Sequence, residues 1–295
     1  MRKTLVVLVA LGVLAPVATA VEAKGNNFTQ ARTTYGLTSG GSLVRFDATN
    51  TSRSSRVGTV TGLAAGERLI GIDFRPATGE LIGLGSKANL YGISQGSATA
   101  SLKSTLTTAA GEPVTLKGTQ FGIDFNPTSD RLRVTSDAEE NLRINVKSGV
   151  TVVDQPIAYA SGGGSPDAVG VAYTNNDNDS FVTPALIPFN RPAATGTRLY
   201  ALDSARRVLA LQDPPNDGRL RTVGSLRQST TGDVGFDIYS QPNGVGDTAS
   251  NTAYASLRRA GRTRLYRVSL RTGKAKLVRG NGRLLRSVTD IAIRP

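Results

Sequence analysis

The chain has 295 residues, with 35 Lys or Arg against 22 Asp or Glu, a formal net charge of +13, and no His, Cys or Trp. Without His or Cys it holds no Ser-His-Asp triad, no Cys-His pair, no His-ligated zinc and no CxxC redox centre. Chemistry in this chain falls to carboxylates, Lys, Arg, Tyr, Ser or an oxygen-ligated ion. The first element in chain order is a targeting segment. Arg2 and Lys3 precede an apolar run over 5–14, and Ala18-Thr19-Ala20 supplies the small residues of a cleavage site. That is the layout of a secretory signal peptide, too short to span a membrane. A second cut site follows Val21-Glu22-Ala23. The expected division is a signal peptide over 1–20, a flexible lead-in over 21–34 and one folded domain over 35–295. The mature protein is expected to be secreted, extracellular or periplasmic in the cell envelope, with packing rather than disulfides holding it.

The domain reads as all-β. Gly is abundant at 33 residues, and Gly, Ser, Thr, Asn and Asp punctuate short apolar runs. Strands are expected at 35–37, 42–46 and 56–60, and after them a repeat becomes visible. Its starts are Gly71-Ile72-Asp73-Phe74, Gly122-Ile123-Asp124-Phe125, Gly170-Val171-Ala172-Tyr173, Gly235-Phe236-Asp237-Ile238 and Asp290-Ile291-Ala292-Ile293. Taking Ile72, Ile123, Val171, Phe236 and Ile291 as equivalent, the steps are 51, 48, 65 and 55 residues. The second copy is the clearest. Over 131–135 and 141–146, Leu132, Val134, Leu142, Ile144 and Val146 alternate with Arg and Asn, the period of a strand with one apolar face. Asn126-Pro127-Thr128-Ser129-Asp130 makes the intervening turn.

Four short strands per unit of this length predict a single β-propeller of about five four-stranded blades. The chain starts on strands two to four of a unit and finishes on strand one, so the two ends are expected to pair and close the ring. A β-sandwich is the other fold that short alternating strands allow. The longest step is expected to carry loops around 175–197 and 240–251.

The phrases FGIDFNPTSDRLRVTSDAEENLRINVKSG, VAYTNN (171–176) and LQDPPNDGRLRTVGSL (211–226) resemble the bacterial domain of unknown function 4394 family. The resemblance covers residues 35–295 and implies a secreted, propeller-like domain with no assigned activity. The chain differs from that pattern by a longer acidic loop at 175–179 and by its basic end.

Four groups are candidate sites. Residues 198–295 hold 18 Lys or Arg against 7 Asp or Glu, whereas 21–197 are balanced. The surplus lies in Arg258, Arg259, Arg262, Arg264, Arg267, Arg271, Lys274, Lys276, Arg279, Arg283, Arg286 and Arg294, against Asp290 alone. A one-sided positive field attracts polyanions, here envelope polymers or lipid head groups. Few aromatics are interleaved, so no dedicated nucleic-acid reader is expected. The leading functional expectation is therefore a non-catalytic binding or scaffold domain without a cofactor or metal.

The second group is Asp73, Asp124 and Asp237, one per unit-starting strand. Converging on a channel, they suit acid–base cleavage of a glycoside or a lyase reaction. Bonding backbone amides to hold the blades in register is the plainer use. The third, Asn175-Asn176-Asp177-Asn178-Asp179, begins like a calcium loop but has Ser180 at position six and Leu186 at position twelve, so the EF-hand pattern fails. The fourth is the row Arg131, Arg133 and Arg143 with Asn141 and Asn145. It reads as a blade-to-blade polar network with Asp130, Asp137, Glu139 and Glu140 as partners. It is also the place for a small anion, because a guanidinium holds a carboxylate or phosphate in two bonds.

Overall fold

The computed structural model describes residues 32–175, 196–230, 232, 234–243, 248–280 and 287–295. The expected signal peptide, most of the lead-in, Asn176–Asp179 of the acidic loop, Arg283 and Arg286 lie outside these residues. Five sheets form five blades. The first joins β21 (Val288–Ile293) to β1 (Thr33–Thr38), β2 (Ser42–Asp47) and β3 (Asn50–Thr59). The second is β4 (Leu69–Arg75), β5 (Glu80–Gly85), β6 (Asn89–Ile93) and β7 (Ala100–Thr105). The third is β8 (Phe121–Asn126), β9 (Arg131–Ser136), β10 (Asn141–Ile144) and β11 (Thr151–Val153). The fourth is β13 (Ala168–Tyr173), β14 (Leu199–Asp203), β15 (Val208–Gln212) and β16 (Arg219–Ser225). Alongside β16 lies the short parallel strand β12 (Ala158–Tyr159). The fifth is β17 (Val234–Pro242), β18 (Thr248–Arg259), β19 (Arg262–Val268) and β20 (Ala275–Leu277).

The ring closes as the repeat predicts: β21 pairs antiparallel with β1, Gly36 opposite Ile291. Three boundaries differ, and one is that β3 begins at Asn50 rather than at 56. Strand β1 begins at Thr33, inside the expected lead-in. Of the stretch 240–251, expected as a loop, 240–242 continue β17 and 248–251 begin β18, with Ser240 opposite Asn251 and Gln241 opposite Ser250; 244–247 lie outside the described residues.

The inner strands β4, β8, β13, β17 and β21 pack side by side around the axis. They are buried along nearly their whole length because a neighbouring blade covers each face. The recurring glycine permits that approach. A Cβ at Gly122 would sit 2.9 Å from the Val171 amide nitrogen, and one at Gly235 would sit 2.6 Å from that of Ile291. Four seams between blades are apolar from both sides. Tyr35 and Leu37 meet Ile72 and Phe74; Ile82 and Leu84 meet Ile123 and Phe125; Tyr200 and Leu209 meet Phe236 and Tyr266; Tyr254 and Leu265 meet Phe46 and Ile293. Each such large side chain contributes about 1.5–3 kcal/mol by leaving water.

The seam between the third and fourth blades differs. Its apolar cluster, including Val171, Tyr173 and Leu199, draws on the fourth blade and the linking segment with Ile157 and Tyr159. The facing surface of β9 and β10 presents Arg133, Thr135 and Asn141 instead, all buried.

Candidate functional site

The carboxylates meet around the axis. Asp73, Asp124 and Asp237 occupy the same position on β4, β8 and β17, and each is buried. Asp73 accepts the amide of Phe74 on its own strand at 2.7 Å and that of Phe125 on the next blade at 2.7 Å. Asp124 accepts the Tyr173 amide of the following blade at 2.7 Å. Asp237 accepts the amides of Ile238 and, on the next blade, Ile293. At this level the fourth blade has Ala172 and the first has Ala292.

A fourth member completes the set. Asp290 stands where β4 has Gly71, two residues before the level of the other three. Its carboxylate takes the Ile291 amide at 2.9 Å and the Ile72 amide of the second blade at 2.8 Å. Four of five seams are thus clamped by one carboxylate each. The sequence carried a signal for Asp290, an Asp in the slot that the other repeats fill with Gly.

Burial first, and then repulsion from neighbouring carboxylates, raises Asp73 and Asp124 well above the usual carboxylate range. Burial likewise raises Asp290, and it lifts Asp237 to about 7. One oxygen from each of Asp73, Asp124 and Asp237 lies within 4.8 Å of the others, a spacing that could share a hard cation. Amides already occupy both oxygens of Asp73 and Asp237. Acid–base cleavage needs groups free to touch a substrate, whereas this geometry assigns the carboxylates to blade register. The mouth of the channel, a pocket of about 380 Å³, is lined by Leu69, Gln120, Phe121, Val169, Val234 and Thr289 among others, with none of the four Asp among its described lining.

The arginine row splits. Arg133 is 1% exposed and bonded to four acceptors across the seam. Its Nε donates to Tyr173 Oη at 3.2 Å, and Nη1 donates to Asn141 Oδ1 at 2.7 Å and Asp154 Oδ2 at 2.6 Å. Nη2 donates to Asn216 Oδ1 at 2.7 Å. Arg143, cross-strand from Arg133, grips Asp154 with Nε at 2.7 Å and Nη2 at 2.9 Å. Burial opposes this pair, but the Asp154 hydrogen bond outweighs it and raises the Arg143 pKa further.

The expected acids are used elsewhere. Asp130 pairs with Arg75 of the second blade, and Asp137 takes the Thr119 hydroxyl and amide. The partner is Asp154, beyond β11. The turn at 213–218, which sequence alone presents as stiff punctuation, delivers Asn216 to Arg133 and the Pro215 carbonyl to Asn141 at 3.0 Å.

The basic end lies on the fifth blade. Arg259, Arg262, Arg264, Arg267, Arg271, Lys274 and Lys276 are exposed, and none makes an ion pair among the described residues. Arg258 is half-buried and has partners of its own. Arg279 and Arg294 are exposed near the first blade. Like charges face each other in the ladder: Arg259 opposite Arg262 and Arg267 opposite Lys276. Two open clefts flank β19. One, of about 450 Å³, has Arg259, Arg262, Arg264 and Tyr266; the other, of about 510 Å³, has Arg267, Arg271, Lys274 and Lys276.

Among the described residues no helix is long and apolar enough to cross a membrane. Comparison with curated proteins finds no match. Among solved structures, the nidogen/laminin complex contains a chain 10% identical, with 90% of this chain and 98% of that one aligned at a TM-score of 0.50. A structural genomics protein of unknown function from Bacteroides thetaiotaomicron VPI-5482 is 13% identical, covering 89% and 64% at 0.46. The major Malassezia sympodialis allergen Mala s 1 is 14% identical, covering 74% and 62% at 0.40. At such identities the likeness concerns the fold alone. A family model described as domain of unknown function, DUF4394, matches residues 42–292, and the chain belongs to that family.

Proposed function

We propose that this propeller is an exported, non-catalytic binding or scaffold domain that holds anionic polymers of the cell envelope on its fifth blade. One observation carries the reading: seven exposed cations share one blade with no ion pair among the described residues, and two pairs stand directly cross-strand. Opposed like charges destabilise a sheet, and a bound polyanion removes that repulsion. Arg262 and Arg264 lie two residues apart on one face of β19, about 7 Å along the strand, a spacing suited to successive charges on an extended polymer. Tyr254 and Tyr266, the nearby aromatics, are buried, which leaves no exposed ring on this face for base stacking.

The test is retention of the full chain on an immobilised sulfated polysaccharide across a salt series, with anionic vesicles as a parallel arm. Steeply salt-dependent binding that survives Asp73→Asn and Asp124→Asn but fails in an Arg262→Glu/Arg264→Glu variant supports the proposal. Salt-insensitive binding, or turnover of a polysaccharide abolished by the Asp substitutions, overturns it.

A further inference from the structure

The third–fourth blade seam leaves charge that the fold does not use. At the ends of β8 and β13 lies a cleft of about 250 Å³, lined by Arg131, Arg133, Arg143, Tyr173, Asn216 and Ser129 among others. Three guanidinium groups border it, and Asp154 is the carboxylate bonded to Arg133 and Arg143. Asp130, adjacent in sequence, is drawn away by Arg75. Asp124, opposite Arg133 in the ladder, turns its carboxyl to the Tyr173 amide. Among the described residues the cleft therefore carries a surplus of two positive charges.

The three arginines are not equivalent. Arg133 is fixed on four acceptors, and a guanidinium has five N–H donors, so one Nη2 hydrogen remains unspent at the cleft wall. Arg143 is held by Asp154 but keeps a side chain 35% exposed. Arg131, two residues from Arg133 and so on the same face of β9, is half-buried and makes no hydrogen bond or ion pair among the described residues. A guanidinium without an anion beside two that are held in place is what a binding site presents before its ligand arrives. Elsewhere in the ring, blade seams are filled with Leu, Ile, Phe and Tyr, so packing does not call for this arrangement.

We propose that this cleft binds one small dianionic oxyanion, carboxylate or phosphate in kind, with Arg131 and Arg143 contacting it and Arg133 forming the fixed wall. The volume suits a small molecule, and the lining comes from the third and fourth blades, so this site is separate from the fifth blade.

Titration calorimetry of the full chain with inorganic phosphate, and separately with succinate, tests it. A saturable one-to-one heat with either probe is expected, and the tighter probe identifies the oxyanion class. Arg131→Glu and Arg143→Gln should each weaken binding at least about tenfold, the loss expected for one charge-assisted contact. Arg262→Glu/Arg264→Glu should leave it unchanged. Arg131 has no partner among the described residues, so Arg131→Glu should keep the wild-type melting midpoint and stays decisive even if Arg143→Gln is less stable. No saturation with either probe overturns the proposal. So does full affinity in Arg131→Glu, or loss of binding in the fifth-blade variant.

Discussion

Replacing Arg133 with Met tests what holds the polar seam together. The guanidinium is 1% exposed and makes four hydrogen bonds, one to a carboxylate and three to neutral oxygens, across two blades. Met fills a similar volume, so the cavity term is small, and the loss is electrostatic. Buried Tyr173 Oη and Asn141 Oδ1 each lose a donor, as does Asn216 Oδ1 at the exposed rim of the seam. Asp154 keeps only Arg143. Breaking a buried pair from one side costs about 3–5 kcal/mol. Unfolding entropy of about 2 cal/mol/K per residue makes that roughly a 5–9 °C fall in melting midpoint for a ring of this size, read by calorimetry or circular dichroism.

Removing the acid as well refines the argument. Arg133→Met with Asp154→Leu takes away both buried charges, although it also releases Arg143, so the double variant should lose less than the sum of the single losses. A single Arg133→Met loss under about 1 kcal/mol, or strict additivity in the cycle, would refute the view that this seam depends on the ion pair.

Other outcomes follow from the same geometry. If five of the seven fifth-blade cations engage a polyanion, affinity should fall by roughly 10²–10³ between about 50 and 200 mM salt; Arg262→Glu/Arg264→Glu should flatten that slope. Asp237 is raised from 3.8 to about 7, so its contribution to stability is complete below about pH 4 and is lost as pH rises through about 7. The melting midpoint should therefore decline across that window. In Asp237→Asn, already less stable for want of an acceptor for one of two buried amides, the decline should be shallower; an unchanged slope in thermal scans at stepped pH would count against the assignment. Gly122→Ala forces a methyl against the backbone of Gly170 and Val171. It should cost about 1–3 kcal/mol in a denaturant titration.

The architecture was legible because each blade begins with the same apolar-Asp-apolar phrase at a regular step, and because the ends were complementary fragments of one unit. The register role of the Asp set was legible too, except for Asp290, displaced by one pleat into a glycine slot. The partners of Arg133 were not. Asn216 lies 83 positions away, and nothing local in a Pro-Pro-Asn turn announces a buried contact across a seam. Nor did the sequence show 240–242 and 248–251 as strand. These residues lack apolar alternation because the outer ends of β17 and β18, with Ser250 exposed and Gln241 and Asn251 half-buried, have no continuous buried face to mark them. The sequence located the basic surplus but could not show that seven of its cations are exposed on one sheet without an ion pair among the described residues, since neutralisation depends on acids brought from other blades.

Closure of the ring has a consequence for how the chain is made. Strands β1, β2 and β3 are synthesised early, yet the strand on which they rest, β21, emerges last. Thr34 is paired with Ile293, so closing the ring brings together points about 260 residues apart, at an entropic cost of roughly 5 kcal/mol on top of the local terms. Until then the flanks of the first blade and one face of the fifth remain uncovered, Asp237 lacks the Ile293 amide, and the Ile72 amide lacks Asp290. Middle blades can assemble on the ribosome or behind a translocation channel, but the finished molecule cannot. Its completion is a single late event, committed only when the final strand is free.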